Sequence, residues 1–65
     1  MIIKWTNKFS GEVGYVESVS EKERHFNNTF DINKAKQYKS VSNAKGAITK
    51  LTAFGEADNN VFEIV

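Results

Sequence analysis

The chain has no cysteine and no proline, and only one arginine and one histidine among its 65 residues. Without cysteine, neither disulfides nor thiolate metal sites are available. A secreted domain of this length normally carries such staples, so their absence points to a reducing compartment. The cytoplasm of a bacterial cell is the expected location. Long apolar runs are missing as well. No window approaches the ~20 residues of a membrane span. The opening Met1-Ile2-Ile3-Lys4-Trp5 lacks the basic region and long apolar stretch of a signal peptide. No membrane partner is therefore expected.

The same scarcity bears on chemistry. His25 has no second candidate ligand of the right type nearby in the sequence, and metal sites need three or four converging donors. It reads as an ordinary strand residue, and neither a metal nor a cofactor is expected. Nucleophilic catalysis needs a base beside a serine, threonine or cysteine, held by a third group, and no such arrangement is recognisable. Glu12, Glu17, Glu21 and Glu23 supply carboxylates, but Glu21 and Glu23 stand in a charged turn with Lys22 and Arg24. Hydration and screening keep such groups ordinary. The four glycines, at 11, 14, 46 and 55, are too dispersed to cradle a phosphate. The expectation is a protein without enzymatic activity, and no catalytic residue is assigned.

What is present suffices for one small core. About 40% of the chain is apolar, and eight side chains are aromatic. Residues 1–65 are expected to form a single domain near the lower limit at which a hydrophobic core alone can hold a fold. Hollowing that core into an enclosed substrate cavity would remove what stabilises it. Ile2 to Thr6 is a short β-forming run, closed by the turn cluster Asn7 to Gly11. Glu12 to Val19 alternates, with Val13, Tyr15, Glu17 and Val19 on one face and Gly14, Val16 and Ser18 on the other. After the polar turn Ser20 to Glu23, Arg24 to Phe30 makes a third strand with Phe26 and Phe30 on one face. Asp31 is a suitable N-cap for a short helical segment in which Ile32, Ala35 and Tyr38 fall on one side. Ser40 is a second N-cap, and Val41, Ala44, Ile48 and Leu51 recur at helical spacing up to Phe54, with Gly55 as the left-handed stop. Val61 to Val65 closes the chain as a strand.

The fold class is therefore α+β: a two-layer domain with a four-stranded antiparallel sheet in β-β-β-α-β order and one main helix across one face. Its expected core joins Ile3 or Trp5, Val13, Tyr15, Phe26, Phe30, Phe62 and Ile64 to Ala44, Ile48 and Leu51.

Three features are candidates for function. Lys34, Lys36, Lys39, Lys45 and Lys50 lie between Ile32 and Phe54, a stretch with no acidic residue, while the rest of the chain sums to net −4. A lysine cluster of this kind can track a nucleic-acid backbone, although lysines also simply solvate helix faces. The outward side of the main helix presents Ser42, Gly46, Thr49 and Ala53, small and uncharged, where another backbone can approach closely. The sheet face away from the helix is a third candidate. Eight aromatics exceed what one thin core needs, so some of Trp5, Phe9, Tyr15, Phe26 and Phe62 are expected there as a partner surface or homodimer interface.

One stretch carries a resemblance. Phe30-Asp31, then Ala35-Lys36-Gln37-Tyr38-Lys39-Ser40, then Ala44, Ala47-Ile48 and Leu51, resembles a phrase found in small phage- and prophage-encoded accessory proteins. In these, an aromatic–acidic strand end leads through an A-x-x-Y/F-K-S step into an amphipathic helix. Tyr15 to Val19 and Asn60 to Ile64 fit the same layout. The preference for lysine over arginine, the abundant asparagine and the missing proline also suit AT-rich coding. The resemblance implies an origin and assigns no functional residues. The resulting expectation is an accessory protein that acts by stoichiometric binding to a host protein, as an inhibitor or modulator. The alternatives are a nucleic-acid-binding module using the lysine segment, and a structural or assembly protein forming a homo-oligomer.

Overall fold

The computed structural model describes all 65 residues. Strands β1 (Ile3–Asn7), β2 (Val13–Ser20) and β3 (His25–Thr29) are followed by a single 3₁₀ turn, Ile32–Lys34. Helix α1 (Val41–Ala53), a second 3₁₀ turn at Glu56–Asp58 and strand β4 (Asn60–Ile64) complete the chain. The sheet is antiparallel throughout, in the order β3-β2-β1-β4, so the first three strands form the expected meander and β4 returns beside β1.

The turns arise from short side chains bonding nearby backbone. Asn7 Oδ1 accepts from the N–H groups of Phe9 and Ser10, both at 2.9 Å, which bends the chain into the β1–β2 turn. Ser20 Oγ accepts from Glu23 N–H in the β2–β3 turn, where Arg24 takes up a left-handed conformation (φ 53°). Helix α1 starts where Ser40 Oγ accepts from Asn43 N–H at 3.1 Å, and ends at Phe54 with Gly55 left-handed (φ 89°).

Six buried side chains form the core: Ile3 and Trp5 from β1, Val16 from β2, Phe26 from β3, and Ala44 and Leu51 from α1. Ile3, Val16 and Leu51 are sealed from solvent. Phe26 and Phe62, from opposite edge strands, meet edge-to-face at 5.6 Å, so the sheet curls around the core. Trp5 lies between Phe26 and Phe30, its indole against Gly14, its cross-strand partner.

Three expectations are corrected. Val13 and Tyr15 do not enter the core; the buried residue of β2 is Val16, and Val13 is 43% exposed. The register shifts between Val16 and Ser18, so Glu17 is an extra residue in a bulge. That one residue reverses the alternation and returns Val19 to the side of Val16, where it packs on the core. Phe30 is 63% exposed and stays outside the buried cluster, its ring edge-on to Trp5 at 5.9 Å. The helical segment after Asp31 lasts one 3₁₀ turn, and by Ala35 the chain is extended (φ −64°, ψ 141°). The reason lies in hydrogen bonding. Lys36 N–H donates to Val16 O in the middle of β2 and Tyr38 N–H donates to Met1 O ahead of β1, so residues 36–38 link these two segments instead of coiling. Ile32 and Ala35, read on one side of that segment, part company: Ala35 is buried and Ile32 is 52% exposed.

Candidate functional site

Residues 36–39, a strap in neither helix nor strand, face α1 across an open groove of about 660 Å³. Ser42, Asn43, Gly46, Ala47 and Lys50 line it from the helix. Lys36, Gln37, Tyr38 and Lys39 form the facing wall, with Val19 and Glu21 from β2 and its turn. None of the six core residues lines it, so the groove is formed without opening the core. From Ser42 to Lys50 the helix rises about 12 Å, which an extended chain covers in about four residues.

The groove is electropositive. Three ammonium groups line it, and its single carboxylate, Glu21, is held by Lys50 at 2.6 Å. The hydrogen bond from Lys50 holds the Glu21 carboxyl below its usual range, and the same bond raises Lys50 above its own. Lys36 Nζ sits 5.5 Å from the centre of the Tyr38 ring, a cation–π contact. Burial pushes the Tyr38 hydroxyl above its ordinary range, partly offset by the charge of Lys50. The positive end of α1 lies beside Ser42 and adds to the attraction for an anion. Midway along, an added Cβ at Gly46 would meet nothing within 4 Å, so the helix backbone there is open to close approach.

Two of the features read separately in the sequence therefore converge. Lys36, Lys39 and Lys50 share the groove with Ser42 and Gly46. Lys34, Lys45, Thr49 and Ala53 are exposed but lie outside it. Thr49 Oγ1 donates to Lys45 O, and Ala53 O accepts from Arg24 Nη2 at 3.1 Å. Arg24 also stacks over Phe54 at 5.1 Å, so the β2–β3 turn is pinned to the end of α1. This anchor carries Glu21 to Lys50. Nothing in the sequence pairs those two residues, and the contributions of Glu21, Tyr38 and Asn43 to the groove were not foreseen.

The third candidate changes. Strand alternation places Lys4, Thr6, Val13, Tyr15, Val61 and Glu63 on the sheet face away from α1, with Tyr15 its one aromatic. Trp5 and Phe26 are buried on the helix side and Phe62 packs there beside them, while Phe9, 81% exposed, projects from the β1–β2 turn.

A second, smaller recess of about 210 Å³ involves Trp5, Glu12, Asn28 and the pair His25–Glu56, whose Nδ1 and Oε1 lie 3.0 Å apart. No three histidine, cysteine, aspartate or glutamate side chains gather in a metal-binding group anywhere in the chain. No helix is long and apolar enough to cross a membrane.

Fold and groove together define a small α+β domain with a basic, open cleft beside its helix. No family model matches the chain, and neither a curated protein nor a solved structure matches it.

Proposed function

We propose that the protein is a non-catalytic binding module whose groove along α1 takes a short, acidic, extended segment of a partner protein. The observation that carries this reading is the convergence of Lys36, Lys39 and Lys50 on the small, uncharged helix face of Ser42 and Gly46. Lys50 on the helix side and Lys36 and Lys39 on the facing wall supply charge complementarity, and the bare backbone at Gly46 admits a second chain. Gln37, Ser42 and Asn43 offer polar groups to such a chain's amides. A partner of this kind suits the expected role of an accessory protein that binds a host protein stoichiometrically.

Nucleic acid uses the same charges but asks for more. Single-strand sites pair a basic track with aromatic platforms on which bases stack. Here the only aromatic in the groove is Tyr38, half-buried and partly covered by Lys36, and Lys34 and Lys45 lie outside. The groove also contains no arginine fork.

Fluorescence anisotropy with a fluorescein-labelled hexaglutamate peptide and a labelled oligothymidylate of equal length tests the proposal. The peptide should bind more tightly, with affinity falling as salt is added. The triple variant Lys36→Gln, Lys39→Gln, Lys50→Gln should weaken peptide binding at least about tenfold. Preference for the oligothymidylate, or unchanged peptide binding by the triple variant, refutes the reading.

A further inference from the structure

The only carboxylate in the groove marks where a partner's carboxylate would sit. Glu21 reaches Lys50 from the β2–β3 turn, across from α1, and the turn is held there by Arg24 on Ala53 O and on the Phe54 ring. Glu21 belongs to no strand or helix, and its side chain is 67% exposed. Its carboxylate makes no other ion pair within the protein, so Lys50 alone holds it over the groove.

We infer that the Lys50 end of the groove is a carboxylate subsite, and that Glu21 is its built-in occupant, displaced when an acidic side chain of the partner arrives. This rests on the acidic-segment reading above and specifies one of its contacts. Glu21 competes with a ligand of its own chemistry, so it lowers the groove's affinity for acidic segments without closing it. The competition also gives selectivity. A lone carboxylate must displace Glu21 with no other gain, whereas a segment that also engages Lys36 and Lys39 recovers the exchange. The subsite fits one planar carboxylate on one ammonium, as Glu21 itself demonstrates.

The energetic stake is small, because both partners are more than half exposed and solvent screens the pair. Removing the competitor should therefore tighten binding modestly, by about two- to fivefold. The experiment measures hexaglutamate affinity by anisotropy for wild type, Glu21→Gln, Glu23→Gln, Lys50→Gln and the double variant Glu21→Gln/Lys50→Gln. Glu23 stands in the same turn and loses the same charge, but does not line the groove. Thermal melts of all five proteins verify that each is folded.

Glu21→Gln should bind about two- to fivefold more tightly than wild type, while Glu23→Gln stays close to wild type. The gain should vanish in the Lys50→Gln background, since no subsite is left to free. The inference is overturned if wild type binds and Glu21→Gln binds equally or more weakly. It is also overturned if Glu23→Gln gains as much as Glu21→Gln, or if the gain persists without Lys50, since either result reports net charge alone. If neither wild type nor Glu21→Gln binds the peptide, the acidic-segment reading itself fails and the subsite goes with it.

Discussion

Gly14 sits opposite Trp5 in the β1–β2 register, and the indole ring occupies the space a side chain would need. A Cβ built on Gly14 would lie 2.5 Å from Trp5 Cζ2 and 2.6 Å from Cε2. Real Cβ atoms do not approach so closely, and the obstacle is a rigid ring. Trp5 is 5% exposed and held by Phe26 and Phe30, with ring centres 6.4 and 5.9 Å away. It cannot swing aside without opening the core. Overpacking of this kind costs about 1–3 kcal/mol. In an unobstructed position of compatible backbone, glycine to alanine stabilises by roughly 0.4–1 kcal/mol through the unfolded chain. The two effects have opposite signs, and the steric one is larger. Gly14→Ala should lose about 1–2 kcal/mol net, a fall in Tm of about 5–15 °C for a domain of this size, measured by thermal circular dichroism. In a Trp5→Leu background, where the ring is absent, the same substitution should be neutral or stabilising. An unchanged or higher Tm for Gly14→Ala in the wild-type background, or an equal loss in both backgrounds, would refute the reasoning.

Other perturbations follow from the same geometry. Ser40→Ala removes the acceptor for Asn43 N–H and should cost about 1 kcal/mol in denaturant unfolding, with Ser40→Asp retaining most of the stability. Gly46→Ala places a methyl in open space on an exposed turn of α1 and should stabilise by about 0.5–1 kcal/mol, read as a higher urea midpoint at unchanged slope. The Glu21–Lys50 pair predicts a pH signature in the Tm difference between wild type and Glu21→Gln. Glu21 is depressed in the folded state, so its contribution is present above the ordinary carboxylate value near 4.5 and is lost as pH falls through the lower folded value. Lys50 is raised, so its share is present below its ordinary 10.5 and fades as pH rises through the higher folded value. The two melting curves should therefore converge at acid pH, and persistence of the difference there would remove the pair as its cause.

The legible parts of the fold were those written in local chemistry. Ser40, the three- and four-residue spacing of Ala44, Ile48 and Leu51, and Gly55 delimit α1 to within a residue, because caps and helical faces depend on near neighbours. The turn at Asn7 to Gly11 is legible for the same reason. The inward face of β2 was not, since the bulge at Glu17 changes parity without a distinctive residue and depends on pairing with Asn27 and Asn28. The end of the 3₁₀ turn at Lys34 was hidden because Val16 O and Met1 O, remote in sequence, take the amides a helix would have used. That same strap makes the groove. Lysines and small helix residues were visible as two features, and only a non-helical 36–39 segment brings Lys36 and Lys39 across from Ser42 and Gly46. The aromatic surplus was real in composition, but curling of the sheet places Phe26 and Phe62 together over the core.

Occupancy of the groove by an acidic segment is tested most directly by titrating unlabelled hexaglutamate into ¹⁵N-labelled protein and following every backbone amide. The largest shifts should fall on Lys36, Lys39, Ser42, Asn43, Gly46 and Lys50, the residues that face one another across the groove. Shifts concentrated on Lys4, Tyr15 and Val61 of the opposite sheet face, or no shifts at millimolar peptide, would contradict it.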